Sequence, residues 1–439
     1  MTPRAKLLST VALSLALGLG IWAAHADPPG GTLDTFPGMP PVTDPVNLYR
    51  GAAAGELSPA AAEALPRVYV PNLRSNDVYV IDPVALRVVD RFRVGGQPQH
   101  IVPSWDLKTL WVNNNGLRGP QGSLTPIDPR TGKPGQPIAV EDPYNLYFTP
   151  DGRSAIVVAE RLERLDFRDP HTMALQGSLP TPGCAGVNHA DFALDGKYAV
   201  FTCEFGGGGL IKVDLIERKV VGHLNLTRTN LITQAALAAP DDEPVDASLP
   251  GATLSDATVT DAILPGAAFC GSGVNAFGSM PQDIRVSPDG KLFYVADMMA
   301  DGVYVVDGAE FKQVGYIPTG VGTHGLYPSR DGTKLYVVNR GSHDVRGRRR
   351  GPGSISVLDF ATQEVVANWP IPRGGSPDMG NVSADGRFLW LSGRYDNVVY
   401  VIDTTMGGVA TIPVGTEPHG LTVWPQPGRY SLGHTGNMR

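Results

Sequence analysis

Cysteine is scarce in this chain, with three in 439 residues, so no disulfide framework can hold so long a chain together. Charge is also sparse, at 18% of residues, and its balance is −7. Phosphate backbones want a basic surface, so nucleic acid is excluded as the main partner. After the first apolar run no segment approaches the length that spans a bilayer. No HExxH, CxxC, GxSxG or Walker spacing is present, and no GxGxxG follows a strand, so nothing points to a nucleotide cofactor. The absence of CxxCH excludes covalent c-type haem. What abounds is Gly (53) and Pro (39), against 42% hydrophobic residues. Such a chain has a core and many turns, which points to an all-β protein.

The first 26 residues read as an export signal. Arg4 and Lys6 precede an apolar run from Leu7 to Ala24, and Ala24-His25-Ala26 offers a small-x-small exit. An uncleaved anchor is the alternative reading. Cleavage before Asp27 would leave a periplasmic or secreted protein with no transmembrane anchor. Residues 27–64 then read as a linker, 65–426 as the repeat region and 427–439 as a tail with His434 and Met438 unassigned.

Repeats decide the architecture. A run of alternating apolar residues closing on Asp recurs seven times, at Asp82, Asp128, Asp166, Asp214, Asp307, Asp359 and Asp403. Most copies follow a turn aspartate, at 106, 151, 195, 289, 331 and 385, and most of these turns are Asp-Gly. Hairpins in units of about 40–45 residues are the signature of propeller blades. Longer steps mark insertions at 227–279 and 343–353. The first could be a lid over a tunnel mouth; the second carries a basic knob of Arg346, Arg348, Arg349 and Arg350. Pro66 to Asn72 lacks the strand that should precede it, and Pro418 to Trp424 lacks the one that should follow. Paired, they close a seven-bladed β-propeller.

Runs such as LYVVNRGS…ISVLD and FYVADMMADGVYVVD resemble the YVTN β-propeller repeat family over about Leu65 to Gln426. That resemblance implies the fold; its cousins include lactonases, the copper-binding propeller of nitrous oxide reductase and binding proteins without chemistry, so it leaves activity open.

In a propeller, the residues leading into each innermost strand line the mouth of the central tunnel. Six before each turn aspartate stand His100, Asn145, His189, Asp283, Gly325 and Met379; seven before stand Gln99, Tyr144, Asn188, Gln282, His324 and Asp378. The last blade supplies His419 through Pro-His-Gly. Four of the nine histidines fall in this small set. His100, His189, His324 and His419 therefore form a candidate copper or zinc site, with Asn145, Asp283 and Asp378 as ligand-binding candidates; hydrated strand entries are the plainer alternative. The loops after the second strands carry Arg74, Arg118, Arg161, Arg340 and Arg394, which would suit an anionic ligand. Cys184 and Cys203 should share one blade, as a disulfide or as a soft-metal set with Met298, Met299 or Met379. The strand-end aspartates read as turn formers. The expectation is a monomeric exported module that binds a metal ion or small anionic ligand, with transfer to an exported partner protein as an extension. An enzyme using the same axial His and Asp groups, in lactone hydrolysis or metal-dependent redox chemistry, is one alternative. A protein-interaction platform is the other.

Overall fold

Seven antiparallel sheets, six of four strands and one with an extra short strand, stand around a central axis. The computed structural model describes residues 33–227, 279–345, 351–434 and 437–439. The stretch read as an export signal, almost all of the first insertion, the basic knob and Cys270 lie outside the described residues. Among the described residues, no helix is long and apolar enough to cross a membrane.

The innermost strands are Pro98–Pro103, Pro143–Phe148, Val187–Phe192, Pro281–Val286, Thr323–Pro328, Pro377–Val382 and Thr422–Trp424. We number the blades 1 to 7 in that order. Each inner strand runs from the tunnel mouth to a turn at the opposite end. In blade 7, Thr422–Trp424 pairs antiparallel with Arg67–Asn72, Val68 facing Val423. The two ends of the repeat region thus share one sheet, which closes the ring.

Local chemistry explains the turns. The hydroxyls of Ser287, Ser329 and Ser383 donate to Asp289, Asp331 and Asp385, and the following Gly290, Gly332 and Gly386 take positive φ. Asp106 has no glycine after it, and Leu107 adopts φ 65° in its place. Strand-end aspartates close the outer hairpins: Asp82 accepts from the backbone of Val84 and Ala85, and Asp403 from Thr405 and Met406. Asp166 departs from the expected role. It is buried between Arg164 and Arg168, and Asp169, just past the strand end, accepts from His171 and Thr172 instead. The alternating pattern locates the strand but not its last residue.

Valine, isoleucine and aromatic side chains fill the spaces between sheets, as in the cluster of Val68, Val70, Ile81, Trp390, Val399 and Val423 between blades 6 and 7. Nearer the axis the blades are latched by polar groups. Asp191 accepts from the Val286 backbone, Asp283 from Leu326 and Asn381 from Val423. Buried donors and acceptors of this kind stabilise only when paired, and these are.

The stretch read as a linker is built into the turn end of the ring. Residues Leu48–Ala52 form a 3-10 helix capped by the Asn47 side chain, the Leu48 backbone donates to Pro288, and Tyr49 donates to Val286. The tail fills the same end from the inside. After Gln426 it enters the tunnel, with Ser431 donating to Trp105, Phe148 to Leu432 and His434 to Leu146 through their backbones. It then folds back, Ser431 bridging Met438, and Arg439 pairs with Asp191.

Candidate metal centre and tunnel mouth

A β-bulge shapes every inner strand of blades 1 to 6. In blade 1, Pro98 pairs with Asn114 and Ile101 with Val112, so two residues, Gln99 and His100, stand opposite one. Blades 3, 4 and 6 repeat this bulge, and blades 2 and 5 shift register at the same level. Strict alternation would send only one of each pair to the axis. The extra residue lets both sets of entry residues contribute to one polar column.

Five histidines meet in that column. His100, His189 and His434 offer nitrogen atoms that all lie within 4.8 Å of one another, and all three are fully buried. His100 packs edge-on against His189 and His434, with centroids 5.3 and 4.9 Å apart, and His189 and His434 are tilted against each other at 4.5 Å. His100 lies against Gly420, where an added Cβ would stand 2.0 Å from its Nδ1, so Pro-His-Gly needs its glycine. Burial holds all three imidazoles well below their ordinary pKa, and neighbouring rings add to the effect. Neutral imidazole is the metal-ligating form.

The four histidines named from the sequence are therefore divided. His100 and His189 join His434 of the tail. His419 stays near His100, with centroids 4.8 Å apart, but its Nδ1 lies 2.7 Å from Asp378. His324 approaches the same carboxylate at 3.2 Å. His434 was missed because it belongs to no repeat, so no spacing rule could place it. Its one visible signal was being a histidine in a tail rich in Gly.

Asp378 is the hub of the upper layer. Arg340 reaches it at 2.8 Å and Arg394 at 3.4 Å, and Arg340 also contacts His324. Burial would raise the Asp378 carboxyl, but Arg340 and the two imidazoles outweigh it and hold it well below its usual range. Replacing Asp378 with Asn would take the partner carboxylate from the buried Arg340 guanidinium and leave Arg394 with only Glu417, 3.7 Å away. The expected loss is about 3–5 kcal/mol of stability, read from denaturant melts of the two proteins.

The remaining arginines stay away from the axis. Arg74 is exposed and paired with Glu417. Arg118 is exposed. Arg161 spends its donors on the Asn115 and Gly119 carbonyls. Asp283 lies deeper, 3.0 Å from Arg285; burial pushes its carboxyl up to about 6 against the pull of that arginine. Asn145 joins the histidine group. Its Oδ1 accepts from the Leu146 backbone at 2.9 Å, and its Nδ2 faces Nδ1 of His189 at 3.2 Å and of His434 at 3.1 Å.

Cys184 and Cys203 form a buried disulfide with Cα atoms 4.8 Å apart. The alternative soft-metal set does not assemble. Met379 accepts from the Tyr327 hydroxyl, Met298 lies against Arg340, and Met299 is exposed.

These features define a class: a seven-bladed ring with a histidine cluster buried on its axis. The chain belongs to the YNCE-like β-propeller family, whose model matches residues 35–171 and 271–427. No curated protein sequence matches it. Among solved structures it is similar to the hydrazine synthase of Kuenenia stuttgartiensis, at 17% identity and TM-score 0.55 over 80% of this chain and 94% of that one. It is also similar to a putative 6-phosphogluconolactonase from Bacteroides uniformis, at 14% identity and TM-score 0.55 over 81% and 99%. A dihydro-haem d1 dehydrogenase aligns at 14% identity and TM-score 0.50 over 84% and 77%. At these identities the likeness is one of fold.

Proposed function

We propose that this protein is an exported binding propeller that holds one copper or zinc ion through His100, His189 and His434. The observation that carries the reading is three neutral, fully buried imidazoles on one axis, with orphaned nitrogens among them. Among the described residues, neither nitrogen of His100 has a hydrogen-bond partner, nor does Nε2 of His189. Buried polar atoms without partners are uncommon unless something else satisfies them. An all-imidazole donor set suits both metals. Metal–nitrogen bonds of about 2.0–2.1 Å place ligand atoms about 3.3–3.5 Å apart, so the rings need only a small inward shift. The export pattern of the first 26 residues supports a role outside the cytoplasm. Full burial of the three rings suits retention of an ion, with release to a partner, more than turnover of a substrate.

Elemental analysis of the full chain purified from its native host tests this. One copper or zinc per chain is expected, lost on changing His100, His189 or His434 to Ala and retained in His324→Ala. Metal-free protein, or equal metal in all four variants, would refute the reading.

A further inference from the structure

The buried histidines can be approached from two directions, and the two are built differently. On the mouth side the column is shut. His324, Asp378, Arg340, Arg394 and His419 are each no more than 5% exposed, and Arg340, Arg394 and His419 all contact the one carboxylate. Across from them the Tyr144 ring packs edge-on against His100 and His189, with centroids 5.4 and 6.1 Å away. A cation entering there would have to part buried ion pairs and pass two guanidinium groups, a costly route.

On the turn side the plug is the tail, residues 427–439, and its joints are slighter. Strands within a blade are held by ladders; in blade 4, Leu292–Asp297 pairs with Gly302–Asp307 at six positions. As strand pairing the tail makes isolated bridges, Gly433 with Tyr147 of blade 2 and Gly428 with Leu57. Two side chains anchor its far part: Asn437 donates to the Ala190 carbonyl at 3.0 Å, and Arg439 to Asp191 at 2.8 Å. A small cavity lined by Met39, Leu48, Leu194, Leu432 and Arg439 lies along the seam, so packing there is incomplete. His434 holds a φ of 24°, in the left-handed region where a residue other than glycine stays only when its surroundings keep it. Beside it, an added Cβ at Gly433 would stand 2.4 Å from the Leu146 carbonyl oxygen and from Tyr147 Cα. The glycine next to the ligand thus permits the tail's close approach to blade 2.

We propose that the tail is the gate of the metal site: it withdraws towards the turn end to admit or release the ion, takes His434 with it, and reseats when the ion binds. This rests on the copper or zinc reading and adds the route by which that site exchanges its ion. The coupling follows from ligand count. With the tail seated the ion has three imidazoles; with it withdrawn, His100 and His189 remain. The ion therefore favours the seated form by the worth of the third ligand, and whatever weakens seating weakens retention to the same degree.

Hydrogen exchange of the full chain, read by mass spectrometry with and without bound Zn2+, tests this together with release rates under a chelator challenge. Zn2+ should slow exchange of the amides from Tyr430 to His434 about tenfold or more, and leave the blade 4 inner strand, Pro281–Val286, unchanged. Arg439→Ala, which removes the bond to Asp191 but no ligand, should speed Zn2+ release about fivefold or more. Gly433→Val, which keeps all three histidines, should bind Zn2+ as weakly as His434→Ala. His324→Ala, which loosens the mouth layer, should release it at the wild-type rate. Equal exchange with and without bound Zn2+, or wild-type release from both Arg439→Ala and Gly433→Val, would overturn the gate. So would release speeded in His324→Ala but not in Arg439→Ala, which would put the exit at the mouth. A chain that takes up no Zn2+ would fail the metal reading and the gate with it, whereas full uptake with an indifferent tail would fail the gate alone.

Discussion

Asn145→Asp is expected to tighten copper or zinc binding by about tenfold or more, the scale on which second-shell partners act. The backbone N–H of Leu146 holds Oδ1 of Asn145, so the amide group that faces both rings is the NH2. A group that only donates forces Nδ1 of His189 and of His434 to accept. Each neutral ring then carries its proton on Nε2, the nitrogen a metal would use. To load the site, an ion must displace the amide from Nδ1 or turn it and break its bond to Leu146. A carboxylate at 145 would accept from Nδ1–H of both rings and leave each Nε2 lone pair open, the arrangement typical of metal-bound histidine. Competition against a chelator of known affinity measures the change. Equal or weaker affinity in the Asp variant would show that Asn145 does not set the tautomers.

Stability is expected to fall as pH drops from about 6.5 towards 4. Burial lowers all five axial histidines below their ordinary pKa, His419 to about 4. In the unfolded chain each would protonate near 6.5, so the unfolded state binds more protons in that window, and acid favours it. Asp142 and Asp283, raised to about 6, and Glu160 and Glu204, also raised, act the other way, because they keep protons in the fold that the unfolded chain gives up. Burial raises Asp297 as well, so five carboxyls oppose five histidines, and Asp378 with the turn aspartates held below their usual range tips the balance at the acid end. Each proton of net uptake on unfolding is worth ~1.4 kcal/mol per pH unit. Melting temperatures measured from pH 7 to 4.5 on metal-free protein check this. A flat or rising series would mean that the rings are already charged in the fold.

The ring and most of its axis could be read in the sequence because both follow from repetition. Alternating runs give strands, Asp-Gly gives the turns, and a fixed offset from each turn finds His100, His189, His324, Asp378 and Asn145. The offset could not say which member of each pair faces inward. A bulge answers that question by turning both in, and a bulge has no signature in a period-two pattern. Asp166 took the wrong role because Asp169 stands only three residues on. His434 lay outside every repeat, and its place depends on a tail threading the ring from the turn end. Of the five arginines named from the sequence, only Arg340 and Arg394 reach the axial carboxylate Asp378; that pairing spans different blades and no local motif announces it.

The seventh sheet bears on how the chain acquires its shape. Val68 pairs with Val423, so the earliest strands must wait for nearly the last ones before their edge is covered. A ribosome releasing this chain from its amino end exposes a three-stranded sheet that lacks its inner strand throughout most of synthesis. Non-local pairing of this kind makes folding slow, and an uncovered edge invites pairing with other chains. A protein so arranged is well suited to being kept unfolded until the whole chain is available, and poorly suited to losing its last strand.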